Sequence, residues 1–244
     1  SITHGSDSSY GNWRIPLMKK LCAAGYLPNS VGYRNDQSHD EAGATMPENW
    51  VWHSGIGGRF LISDTNAKQG GVQDMIDAEL DQAGNVDVLL MKIGTNDINS
   101  RSTPAETLFD AWTNTVQRIL AQSACKVIAG AVVNNATAAK NEIVLAFNAM
   151  MKKAIEEDGI FPAGRVYYAD LYNACPRSAQ DGTLIEHNFQ NATDLHPDWP
   201  GEDLMAEEYC RVIKLALADG LPVHPAPHTT TGSLNNVPAE DRQG

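Results

Sequence analysis

Residues 13–24, WRIPLMKKLCAA, carry apolar side chains at helical spacing and stop at Gly25, which predicts a helix closed by a glycine C-cap. From about residue 34 to 70 the chain is rich in Gly, Asn, Asp and Ser and shows no lasting period, so long loops are expected there. The pattern changes at residues 86–93, VDVLLMKI, a nearly continuous apolar run that ends at Gly94 as a buried parallel strand entering a loop does. Residues 104–123 then read as a helix, 126–133 as a strand, 138–157 as a helix and 165–171 as a further strand. This βαβ alternation predicts an α/β domain with a parallel sheet. Residues 202–218 have the period of an amphipathic helix ending at Gly220, whereas 221–244 is rich in Pro, Thr and Asn and lacks a core pattern. The chain therefore divides into a domain over residues 1–220 and a tail or linker over 221–244, with no internal repeat.

At 244 residues and 42% hydrophobic content, one substantial core and a single domain are the expectation. A formal charge of −12 argues against nucleic acid or an anionic membrane as partner, because phosphate binding relies on clustered Lys and Arg. A neutral or sugar-like substrate fits better. The sequence contains no apolar run of about 18 residues or more, and no signal peptide is visible at its start. Cys22, Cys125, Cys175 and Cys210 fit neither a CxxC redox pair nor a zinc ribbon. Their even number permits disulfides in an oxidising compartment, while their strand-like and helix-like surroundings suit buried free thiols. Asn135-Ala136-Thr137 and Asn191-Ala192-Thr193 have the form of glycosylation sequons.

Chemistry is concentrated in three separated segments: Ser1-Ile2-Thr3-His4-Gly5, Gly94-Thr95-Asn96-Asp97 and Asp194-Leu195-His196-Pro197. A hydroxyl attacks an ester at neutral pH only if an imidazole takes its proton and prearranged N–H donors hold the charge that develops on the carbonyl oxygen. These segments supply all three components, in the order usual for a serine esterase.

Together they resemble the SGNH or GDSL hydrolase superfamily over nearly the whole chain. Val31-Gly32-Tyr33, His53-Ser54-Gly55 and Gly94-Thr95-Asn96-Asp97-Ile98 look most like carbohydrate esterase family 3, whose members remove acetyl groups from xylan. The resemblance implies a three-layer α/β/α sandwich with a central parallel sheet in flavodoxin-like order. It implies Ser1 as nucleophile and His196 as general base. The oxyanion hole would be formed by the Ser1 and Gly55 N–H groups and the Asn96 side chain. Gly58 competes with Gly55 under the superfamily's broader pattern. Asp97 is expected to tie down its loop or cap the next helix.

Two departures accompany the resemblance. The family places its acid three residues before the histidine, where this chain has Thr193. Asp194, two residues before His196, points the same way in an extended segment and is the candidate third member of a triad; a backbone carbonyl in its place leaves a Ser-His dyad. In the family the nucleophile's motif begins Gly-Asp and follows a central first strand, and neither stands before Ser1. A domain without that strand is expected to expose an apolar slot and unpaired backbone, so the natural chain is expected to continue upstream of Ser1.

The remaining histidines have weaker claims. His4, His39 and His187 are loop residues, and His224 and His228 in the tail are expected to be solvated. His53, with Trp50 and Trp52, is a candidate sugar-stacking wall. Asp36, His39, Asp40 and Glu41 lack metal-ligand spacing and read as a solvated acidic loop. The expected activity is hydrolysis of small acyl esters, acetyl above all, on xylan or a related glycan by a secreted enzyme without cofactor or metal. A general short-chain carboxylesterase and a carbohydrate-binding pseudo-enzyme are the alternatives.

Overall fold

The computed structural model describes residues 12–32, 34–35, 43–63, 70–177, 188–189 and 195–224. Its centre is a parallel sheet of β3 (Val88–Met91), β4 (Lys126–Gly130) and β5 (Val166–Ala169), ordered β3-β4-β5. The register pairs Val88 with Lys126 and Val127 with Val166. A short antiparallel pair, β1 (Arg34–Asn35) and β2 (Trp52–His53), lies apart from this sheet.

Alternate side chains of β4 enter opposite cores. Val127 and Ala129 join the cluster built with α2 (Val72–Ala83), α4 (Ala105–Gln122) and α5 (Ala138–Glu156). Ile128 joins the cluster built with α1 (Arg14–Ala23), the one-turn α6 (Leu171–Ala174) and α7 (Trp199–Ala216). Burial on both faces is why this strand reads as a continuous apolar run rather than an alternating one. The result is the expected three-layer α/β/α sandwich.

Most of the predicted elements form within a few residues of their expected bounds, and Gly25 takes the positive φ of +87° anticipated for the end of α1. Helix α2 and the short helix α3 (Thr95–Arg101) are additions to the sequence reading. The Asp74 carboxylate accepts the Gly71 N–H at 3.0 Å and so caps α2. All four cysteines are free thiols, Cys22 exposed and the others buried, so the allowance for disulfides is not taken up. Asn135 is buried and its Oδ1 accepts the Thr137 N–H at 3.0 Å, which makes that sequon a turn leading into α5. His224 is not simply solvated: its Nε2 lies 2.9 Å from Asp87 Oδ1, fastening the start of the tail beside β3. His228 lies outside the described residues.

One edge of the sheet is open among the described residues. The Asp87 carbonyl accepts the Lys126 N–H at 2.9 Å, and in a parallel strand alternate residues bond to opposite sides, so the backbone groups of Val88 and Leu90 face away from β4. They face a trough of about 820 Å³ walled by Leu17 and Leu21 of α1, Ile76 and Leu80 of α2, and Ile213 of α7. It runs the full length of β3, from Asn85 to Asn96. A substrate cleft in such sheets sits only beyond the strands' carboxyl ends. The trough is therefore a strand-shaped slot whose upper end alone borders the candidate site.

Candidate active site

Gly94, at φ +109°, turns the chain from β3 directly into α3, and a Cβ there would meet Phe147 Cε1 at 3.2 Å. The motif Gly94-Thr95-Asn96-Asp97 is thus a strand-to-helix corner, with Asn96 in the first turn of α3. Asp97 is fully buried, and its carboxylate accepts the Leu61 N–H at 2.8 Å and the Ile62 N–H at 3.1 Å. Burial raises its pKa, and those two N–H groups oppose the rise. Asp97 therefore ties the loop before α2 to the corner.

That tie brings the glycine-rich loop against Asn96. Asn96 Nδ2 donates to the Arg59 carbonyl at 2.9 Å, leaving its second N–H for another acceptor. Gly55 lies in the same loop and shares the upper end of the trough with Asn96. Its N–H donates to His53 Nδ1 at 2.9 Å. Gly58 takes φ +78° in the turn that follows. Trp50 and Trp52 are half-buried and His53 is buried, and all three line the trough.

His196 is half-buried on the connection into α7. Pro197 forms an antiparallel bridge with Phe189, and the Asp198 N–H donates to the Asn188 carbonyl at 3.0 Å. Asp198 then caps α7 through the Trp199 N–H at 2.9 Å. The first turn of α7 packs so closely that a Cβ on Gly201 would stand 2.2 Å from the Asn188 carbonyl oxygen. At the other end of the helix, Lys126 at the start of β4 donates through Nζ to the Ala216 carbonyl. Helix α7 therefore runs against the strand direction, which puts its start, and His196, at the carboxyl end of the sheet with Gly94 and Asn96. Ser1 and Asp194 lie outside the described residues, as do His4, Asp36, His39, Asp40, Glu41, His187 and Thr193.

Several residues near this end were not singled out from the sequence. Lys92 precedes the corner and donates through Nζ to Thr95 Oγ1 at 3.3 Å; burial pushes its ammonium down to about 7, against the pull of nearby Cys175. Burial likewise pushes the Cys175 thiol up to about 12. Glu202, in the first turn of α7, is pushed up to about 8 by burial and by the Asp198 carboxylate, with Arg14 opposing. Arg59 and Glu79 form a buried ion pair at 2.5 Å. None has a motif around it that marks it in one dimension. Among the described residues no group of three or more His, Cys, Asp or Glu is placed to hold a metal ion.

No family model matches the sequence, and no curated protein matches it. Solved structures do. A carbohydrate esterase family 3 protein from Talaromyces cellulolyticus is similar at 19% identity and TM-score 0.61, covering 85% of this chain and 92% of that one. The Clostridium thermocellum family 3 carbohydrate esterase is similar at 17% identity and TM-score 0.62, covering 90% and 94%. A member of the lipolytic protein G-D-S-L family from Veillonella parvula follows at 18% identity and TM-score 0.54, covering 88% and 94%. The chain thus shares the α/β/α fold of the carbohydrate esterase family 3 and G-D-S-L structures.

Proposed function

We propose that this chain is a serine esterase that removes small acyl groups, acetyl above all, from xylan or a related glycan. The observation that carries the reading is the corner after β3, where Asn96 and the Gly55 loop are bonded together at the same end of the sheet as His196. Similarity of fold to carbohydrate esterases supports it. So does the acidic chain, which suits a neutral polymer better than a polyanion.

In this reading His196 takes the proton of the Ser1 hydroxyl as Oγ attacks the acyl carbon. The Ser1 and Gly55 N–H groups and the free N–H of Asn96 hold the oxyanion. Collapse expels the sugar oxygen, which takes its proton from the imidazolium. A water, deprotonated by His196, then attacks the acyl-enzyme and frees the carboxylic acid and Ser1. Asp194 orients the imidazole, and neither cofactor nor metal takes part. A glycan polymer is met outside the cell, so the reading includes export.

The test is release of acetate from acetylated xylan and hydrolysis of p-nitrophenyl acetate, with labelling of Ser1 by a fluorophosphonate. Both hydrolysis and labelling are expected, and both are lost in His196→Ala. Equal rates on acetylated xylan and on simple short-chain esters indicate a general carboxylesterase. Binding of xylan without hydrolysis or labelling indicates a pseudo-enzyme and sinks the catalytic reading.

A further inference from the structure

Arg59 touches three parts of the site at once. Its guanidinium, only 4% exposed, pairs with the Glu79 carboxylate of α2 and donates across a long 3.4 Å to the Ser54 carbonyl. Its own carbonyl accepts Asn96 Nδ2 at 2.9 Å. The Ser54 carbonyl and the Gly55 N–H belong to one planar peptide group, so fixing the oxygen fixes the direction of the N–H. One side chain, anchored on a helix, therefore bears on the Gly55 peptide from its carbonyl side while His53 Nδ1 accepts its N–H, and the same residue's backbone seats Asn96.

Stability alone does not call for this arrangement. A buried ion pair is costly to desolvate, and apolar residues of similar volume often hold a fold as well or better. Burial pushes the Glu79 carboxyl up, and the adjoining Arg59 charge resists it. What apolar side chains cannot supply is a directed hold on a carbonyl oxygen. Guanidinium offers that, because its donors lie in a rigid planar fork.

We infer that Arg59, anchored by Glu79, is a positioning residue that aims both proposed oxyanion donors, Gly55 through the Ser54 carbonyl and Asn96 through its own. This rests on the esterase reading above. Its role is to keep Asn96 and the Gly55 peptide in place, so that only the His53 imidazole, which now accepts the Gly55 N–H, has to give way to the transition-state oxygen; misplacement of such groups by about 1 Å costs on the order of 100-fold in rate.

The discriminating variant replaces the pair together, Arg59→Met with Glu79→Leu, so that no lone charge stays buried. It is expected to unfold cooperatively near the wild-type Tm while kcat on p-nitrophenyl acetate falls roughly 10- to 100-fold and KM changes less than about threefold. Arg59→Lys, which keeps the charge without the fork, is expected to recover only part of kcat. A folded paired variant with wild-type kcat overturns the inference. Should the pair variant not fold, Glu79→Gln decides: it keeps volume and one acceptor, and unchanged kcat there overturns the inference equally. Nuclear magnetic resonance supplies a readout separate from turnover, because the Gly55 amide and Asn96 side-chain amide signals are expected to shift in Glu79→Gln. Unmoved signals in an active enzyme sink the Arg59 role alone; a wild-type chain that hydrolyses no ester sinks the esterase reading and this role with it.

Discussion

The Gly55 N–H donates to His53 Nδ1 at 2.9 Å, so the amide proposed to hold the oxyanion is already bonded to a buried imidazole two residues earlier. An acyl oxygen reaches that amide only by displacing the imidazole. Binding of a boronic acid, which forms a tetrahedral anion on a nucleophilic serine, is therefore expected to shift the Gly55 amide and His53 ring signals together. Movement of the Gly58 amide with Gly55 unmoved assigns the second donor to Gly58.

Asn96 has one N–H committed to the Arg59 carbonyl and one to spare. Asn96→Ala removes a side-chain donor of the kind worth about 10²–10³ in kcat. The expected loss is of that size, with the thermal midpoint lowered by only a few degrees for the lost bond. A loss below about threefold in a folded variant removes Asn96 from the oxyanion hole.

His196→Ala and Asp194→Ala separate triad from dyad. The first is expected to lower kcat by about 10⁴ or more. An Asp194→Ala loss within an order of magnitude of that establishes the triad, whereas a loss under about tenfold assigns orientation of the imidazole to another group.

Glu202 gives the fold a pH dependence. Burial and Asp198 hold its carboxyl up at about 8, above the 4.5 of an unperturbed glutamate. Between those values the unfolded chain releases a proton that the folded chain keeps, so stability is full below pH 4.5 and declines as pH rises toward 8. Glu202→Gln is expected to flatten this decline and to raise Tm above pH 8, where the wild-type carboxyl is destabilising. Urea unfolding from pH 4 to 9 measures it, and parallel profiles for the two proteins contradict it.

The trough along β3 leaves Val88, Leu89 and Leu90 half-exposed in what is otherwise a two-sided core. An apolar dye such as anilinonaphthalene sulfonate is expected to bind there. Bound dye is expected to slow hydrogen exchange at the Val88 and Leu90 amides, which face the trough. Unchanged exchange at those two amides shows that the dye binds elsewhere.

The elements read most readily were those whose burial repeats along the chain. The β4 run is apolar at every position after Lys126 because both its faces meet helices, and α4, α5 and α7 carry their stripes at helical spacing. Order of motifs was equally legible, since Gly94 marks the end of a strand and Asn96 follows it at a fixed offset. Helix α3 was harder to see: at seven residues it has no room for a periodic stripe, and its start depends on Gly94 adopting a positive φ.

By itself the chain's sequence determined local matters: which segments are strands or helices, where they stop, and which residues are chemically able to attack, accept protons or donate to an oxyanion. Tertiary structure alone decided which of these meet. Asp97 reaches Leu61 and Ile62, Arg59 reaches Glu79 and Asn96, and the direction of α7 carries His196 to the end of the sheet where Asn96 stands. Hydrogen bonds and buried charges act over a few ångströms in space, and residues 20 or 37 positions apart in sequence become neighbours only once the sheet and its two helical layers have closed around them.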